Sequence, residues 1–370
     1  MQVKNRLKTL VLLMLISPFA LLANHHEGEA EHKEHAEDAH HEEVLPELSE
    51  EEQKAADRKA YIQHHLQDSY DFTIWAEYGI GFPLPVILWD EGLHVFSSSK
   101  FHHGETVAES KGNYYKIYHG KIYKTDAEGT ITYDEHHHPS NAKPLDFSIT
   151  KNVFTIMIIG LLIFFVFKRF AKSYSNNLVP SKGGKFLEPL VLFIRDEIAI
   201  PNIGKKHYKK YMSYLLTVFF FIWFLNLAGM TPLGIGVTNN IAVTFGLALL
   251  TFLITQFTSK KDYWGHIFWM PGVPVPMKFV LAPIELLGVF IKPFALMIRL
   301  YANMTAGHIV LMSLIGLLYV FTNWFAKGAF LGLTLFLSII ELLVAFLQAY
   351  IFTMLTALYF GGAVAEHDDH

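Results

Sequence analysis

After residue 150 the chain runs repeatedly through stretches of about 20 apolar, almost uncharged residues, the length that crosses roughly 30 Å of hydrocarbon as a helix. Lipid offers no hydrogen bonds to a backbone, so such stretches are confined to helices or closed barrels, and runs of this length and continuity are helical. The pattern predicts five crossings, at about 152–167, 211–230, 240–258, 277–320 and 329–361. The last two are separated by a short exterior loop, Thr322 to Gly328, which requires them to lie antiparallel. The expected fold class is therefore an all-α polytopic membrane protein of about five transmembrane helices with a long antiparallel C-terminal helical hairpin. With 52% hydrophobic residues and 31 Phe in 370, the composition is too apolar for a soluble protein.

The first 150 residues differ. Residues 1–23 combine a basic start (Lys4, Arg6, Lys8), an apolar run from Leu10 to Leu22 and the small Ala23, which reads as a signal peptide; an uncleaved anchor is the alternative. Residues 24–67 alternate His and Glu, contain almost nothing that can pack, and are expected to be a disordered exported segment. Its histidines are either metal-handling or simply part of a solvated tail. From 68 to 147, short aromatic and β-branched runs (Phe72–Trp75, Leu93–Phe96, Tyr114–Tyr118, Thr130–Tyr133) between turn signals predict a small, mostly β exported domain, with His136-His137-His138 in a loop.

Residues 148–362 form the transmembrane part and 363–370 a polar tail. Lys168, Arg169 and Lys172 follow the first crossing, Lys205 to Lys210 precede the second, and Lys260-Lys261 follow the third. Basic residues collect on the cytoplasmic side, which sets the N-terminal domain in the periplasm and the C-terminus in the cytoplasm. Between the first two crossings, residues 186–200 alternate apolar and charged positions with helical spacing and read as an amphipathic surface helix.

Several classes of chemistry are excluded. Without cysteine there is neither a disulfide framework nor a thiolate metal site. Lys182-Gly183-Gly184-Lys185 lacks the spacing of a phosphate-cradling loop, so nucleotide chemistry belongs to another chain. No cofactor or metal site is expected, and nothing points to nucleic acid.

The intramembrane charges carry the chemistry. Burying an arginine at mid-membrane costs at least about 2.5 kcal/mol, so Arg299 needs a reason. Glu285, Lys292 and Arg299 are seven apart and share a helix face that Asn303 extends; Gly288, Ala295 and Ala302 make a parallel small-residue stripe, suited either to close approach by another helix or to ordinary packing. In the last helix Glu341 and Gln348 are also seven apart. An antiparallel pair brings His308 level with Glu341, and Gln348 near Arg299. An imidazole and a carboxylate at one depth suit either a proton relay or a static ion pair.

The segment Leu296-Met-Ile-Arg299-Leu-Tyr-Ala-Asn303-Met-Thr-Ala-Gly307-His308, with Glu341 and then Leu347-Gln348-Ala349-Tyr350-Ile351-Phe352, resembles subunit a of F-type ATP synthases over about 145–362. The resemblance implies a proton-conducting stator that is no enzyme by itself. Two offset half-channels would serve a ring of c subunits, alongside a peripheral-stalk subunit b and the rest of the complex in a bacterial inner membrane. It also implies that Arg299 is the essential arginine, with Gln348 and Asn303 beside it. His308 and Glu341 become the outer ionisable pair, Glu285 and Lys292 the inner polar residues, and Asn226 a weaker match. Gly229 and Gly234 stand where some members carry carboxylates, and the exported region is longer than in many. Two rival readings are a secondary transporter fed metal by the His-rich segment, which would call for internal repeats, and a membrane-anchored sensor.

Overall fold

The computed structural model describes residues 68–75, 80–135, 138–174, 184–231, 235–270, 272–320 and 323–365. The readings made for 1–23, 24–67, His136, His137 and the last five residues lie outside that range. Two regions emerge: short strands up to Asp146, then helices.

Strand β1 (Asp71–Trp75) pairs antiparallel with β2 (Ile80–Pro83), Phe72 opposite Phe82. A second sheet orders β4 (Leu93–Ser97), β3 (Pro85–Trp89) and β8 (Leu145–Asp146); a third orders β5 (Ala108–Ser110), β6 (Asn113–Tyr118) and β7 (Lys121–Thr125). Two of the hairpins close on two-residue turns, Lys111-Gly112 and His119-Gly120, in which both residues have positive φ. That geometry matches the strand twist and explains the glycine at each second position. Val86, Leu88, Phe96, Phe101, Tyr115 and Ile122 form the core. Thr130–Tyr133 is not a strand: only an isolated bridge, Tyr133 to Pro139, forms there, while Thr132 is held by the Asn141 side chain.

Five helices are long and apolar enough to cross a membrane. They are α1 (Lys151–Ser173), α3 (Tyr208–Gly229), α4 (Ile241–Thr258), α6 (Val275–Val320) and α7 (Trp324–Val364). Two shorter helices lie between them. Helix α2 (Gly184–Phe193) continues through a wide turn, Ile194–Ala199, to Ile200–Ile203, and α5 (Lys261–Phe268) was not anticipated. The N-termini of α1, α4 and α7 are capped by Thr150, Asn240 and Asn323, whose side chains accept from backbone N–H groups.

Helix α3 is the buried axis. Phe219, Phe220, Leu225 and Ile222 are closed off, and Phe219 meets the Phe346 ring edge-on at 5.6 Å. The predicted amphipathic segment packs Ile194 and Ile198 into this bundle, and Ile203 just beyond it joins them. There the α7 backbone at Gly361 lies directly against the Asn202 carbonyl, leaving no space for a Cβ. The strand region is docked rather than tethered: Phe72 and Phe82 both contact Phe154 of α1 at 5.4 Å, and Phe72 and Leu84 belong to the helical core.

Candidate functional site

Helices α6 and α7 run in opposite directions, with Asn303 meeting Gln348 and Gly307 meeting Glu341. Asn303 Nδ2 donates to Gln348 Oε1 at 3.0 Å, and Gln348 is 2% exposed. An amide pair inside an apolar helix pair satisfies two polar groups at once and fixes their register.

Arg299 lies one turn from Asn303 and is half-buried. Among the described residues it makes no hydrogen bond and no ion pair; its neighbour is Tyr359, within electrostatic reach. A guanidinium presents five donors and never loses its charge. Held in low dielectric without an internal anion, it is set to receive one from outside the chain.

Towards the loop end of the hairpin, Glu341 and His308 are both buried, at 8% and 4% exposure. Glu341 packs on the α6 backbone: a Cβ on Gly307 would stand 3.2 Å from Glu341 Oε1. The absent side chain thus lets the carboxyl sit beside the residue preceding His308. Glu341 Oε1 has no hydrogen-bond partner among the described residues. Asn226 is fully buried and ties α3 to this pair, its Nδ2 donating to the Ala345 carbonyl at 3.2 Å, between Glu341 and Gln348.

At the other end, Lys292 is exposed with its Nζ 5.6 Å from the centre of the Tyr359 ring, and Glu285 is half-buried one stripe further. Lys292 and Tyr359 border a cavity of about 60 Å³, whose other polar walls are Thr251, Thr255, Gln256 and Tyr263. That volume admits water, and Gln256 Oε1 is a buried acceptor without a protein partner among the described residues.

All eight residues singled out in the sequence lie on α6, α7 or α3, and the hydrogen bond joins Asn303 directly to Gln348. Tyr359 and Gln256 were missed. Tyr359 is eighteen residues beyond Glu341, five helical turns, so the face was readable, but an aromatic residue in an aromatic-rich helix gave no contrast. The small-residue stripe is left open by this chain: nothing comes within 4 Å of where a Cβ on Gly288 would lie, and Ala302 is exposed.

Comparison with known proteins adds to this geometry. Residues 153–361 match the family described as ATP synthase A chain, and residues 61–147 match a domain of unknown function. The protein named ATP synthase subunit a from Myxococcus xanthus (strain DK1622) is 43% identical over 233 residues, covering 61% of this chain and 77% of that one. Its counterpart in Chloroherpeton thalassium (strain ATCC 35110 / GB-78) is 44% identical over 231 residues, 61% of this chain and 69% of the relative. The one from Anaeromyxobacter sp. (strain Fw109-5) is 39% identical over 263 residues, 68% of this chain and 62% of its own length.

Proposed function

The chain belongs to the ATP synthase A chain family, and on that premise we propose that it is the proton-translocating stator subunit of a rotary F-type ATP synthase. The single observation that carries the reading is Arg299, a half-buried cation without an anionic partner among the described residues, beside the Asn303–Gln348 hydrogen bond on a helix pair with an open small-residue face.

A ring of c subunits turns against that face and brings a membrane carboxylate to Arg299. At about 4 Å and an effective dielectric near 20, the attraction is roughly 4 kcal/mol, enough to favour the ionised carboxylate and release its proton. The fixed charge also repels a proton that would pass straight through.

Protons arrive from the periplasm by way of His308 and Glu341, ride the ring, and leave to the cytoplasm past Lys292, Glu285 and the polar cavity beside Tyr359. The volume of that cavity, sufficient for water, and the unpartnered Gln256 oxygen support the inner path. Asn226 holds the α3 side of the relay in place. The basic residues after α1, before α3 and after α4 support a cytoplasmic C-terminus, with the strand domain in the periplasm of a bacterial inner membrane. Each charge crossing 100 mV yields about 2.3 kcal/mol, so many protons serve one ATP made elsewhere in the complex. The peripheral stalk holds this subunit still while the ring turns.

The test is ATP-driven acidification of inverted membrane vesicles carrying the whole complex, native or Arg299→Ala at equal abundance. Pumping is expected to vanish, with passive leak through the membrane sector. Undiminished pumping would remove the stator reading.

A further inference from the structure

The polar atoms around the cavity beside Tyr359 are sorted by kind. Thr251, Thr255 and Gln256 come from α4, Tyr263 from α5, Lys292 from α6 and Tyr359 from α7. On the α4 wall both hydroxyl protons are already committed. Thr251 Oγ1 donates to the Leu247 carbonyl at 3.1 Å, and Thr255 Oγ1 to the Thr251 carbonyl at 2.7 Å. With its own proton engaged, Thr251 accepts from Tyr214 OH at 2.8 Å. Gln256 turns its amide nitrogen to the Tyr263 hydroxyl, 3.5 Å away, and its Oε1 is left buried without a hydrogen-bond partner among the described residues. What α4 presents to the cavity is therefore mainly acceptors.

The α6 and α7 side presents the reverse. An ammonium has three donors and no acceptor, and that of Lys292 lies 5.6 Å from the centre of the Tyr359 ring. A space of about 60 Å³ with donors on one side and acceptors on the other suits water, which needs two to four polar partners. Such a water is oriented by both sides, its oxygen towards the ammonium and its hydrogens towards α4. A proton handed to it departs on the α4 side, because the charge of Lys292 opposes its return.

Resting on the proton route proposed above, we propose that Gln256 is a positioning residue of the inner outlet. Its Oε1, set by the contact of its amide with Tyr263, fixes the hydrogens of water in the cavity and directs the departing proton from Lys292 towards α4 and α5. Gln256 itself neither gains nor loses a proton: each water passes one on as it receives one. Helix α5, which the sequence did not announce, thereby carries the hydroxyl that holds the amide in place.

The test uses inverted vesicles bearing the whole complex, whose outer medium corresponds to the cytoplasm, with variants compared at equal abundance. Gln256→Leu keeps roughly the volume and removes the acceptor; ATP-driven acidification is expected to fall about fivefold to tenfold, the rate equivalent of one lost hydrogen bond. Gln256→Glu keeps an acceptor oxygen and should pump clearly faster than Gln256→Leu. A residue that only fills space would give the opposite order, because leucine suits an apolar bundle and a buried carboxylate does not. That order, or native pumping in Gln256→Leu, overturns the proposal. A second readout does not depend on activity. The chain has no cysteine, so Gln256→Cys supplies the one thiol of this subunit. Silver ions in the medium should reach it through water, read as protection from maleimide added after denaturation. An unprotected thiol means a dry cavity and rejects the proposal, including where Gln256→Leu fails to assemble. Arg299→Ala is run in parallel: if it still pumps, the proton route itself is wrong, whereas its silence beside native pumping in Gln256→Leu rejects only the role of Gln256.

Discussion

Helix α3 and the α6–α7 pair are all apolar enough to cross a membrane yet pack in opposite ways. In α3, 61% of the most apolar stretch is buried inside the protein, against 11% in α6 and 17% in α7. The first is saturated by its own chain; the second shows Phe279, Ile291, Ile298, Phe336 and Leu343 to the outside while burying His308, Glu341 and Gln348. Hydropathy alone cannot separate them, because lipid and a protein neighbour are equally apolar. What distinguishes the α6–α7 pair is the placement of Arg299, Asn303 and the small-residue stripe on an unfilled face.

Truncation should break the comparison most strongly. Phe220→Ala, in the closed aromatic cluster of α3, is expected to cost about 3–5 kcal/mol and to lower the melting temperature of the purified complex steeply. Phe336→Ala, on the open face of α7, should cost less than about 0.5 kcal/mol. Equal losses at the two positions would mean that α7 is packed after all.

Smaller additions sharpen it. A methyl group at Gly361 meets the Asn202 carbonyl, so Gly361→Ala should destabilise by about 1–3 kcal/mol or more and reduce assembled subunit in membranes. Gly332→Ala has open space around it and should leave abundance unchanged. Asn303→Ala removes one part-buried hydrogen bond, about 1 kcal/mol, and orphans the buried Gln348. Its effect should fall on pumping rate in vesicles more than on thermal stability.

The weakest effect belongs to the strand domain and its pH response. Lys124 Nζ is 2.8 Å from Asp90 Oδ2, to which Tyr115 also donates, and the bond to Lys124 holds the Asp90 carboxyl below its usual range. A carboxyl lowered on folding contributes stability above its unfolded pKa that is lost as pH falls through the folded value. Asp90→Asn should therefore flatten the acid limb of the melting curve by less than about 1 kcal/mol, as partly exposed pairs do. Asp68 is raised on folding by its burial, so its contribution is complete below its unfolded value and fades as pH climbs through the folded one. Asp68→Asn should flatten the alkaline side instead.

Much of the helical part was legible. Lipid enforces long apolar runs, and the predicted spans agree with the observed helices to within a few residues except where α1 continues to Ser173 and α7 begins earlier, at Trp324. The strand region was less so: Phe72, Leu93 and Tyr114 announced β1, β4 and β6, but β2, β3, β5 and β7 are set by their pairing partners, and Thr130–Tyr133 had the composition of a strand without one. Seven-residue spacing found Arg299 with Lys292 and Glu341 with Gln348, and Asn303 lay one turn beyond Arg299. It had no means of finding Gln256, which lies on another helix and reaches the cavity beside Lys292 only through packing.

The amino-acid sequence by itself determined the number of helices long and apolar enough to cross a membrane and which faces of the last two helices carry charge, because helical periodicity and membrane thickness are local constraints. Only the tertiary structure decided which polar groups meet. The Asn303–Gln348 bond, the seat of Glu341 on Gly307, the cavity beside Tyr359 and the contact of the strand domain with α1 all join residues distant in the chain. Their closeness depends on how whole helices pack, which no short window of sequence contains.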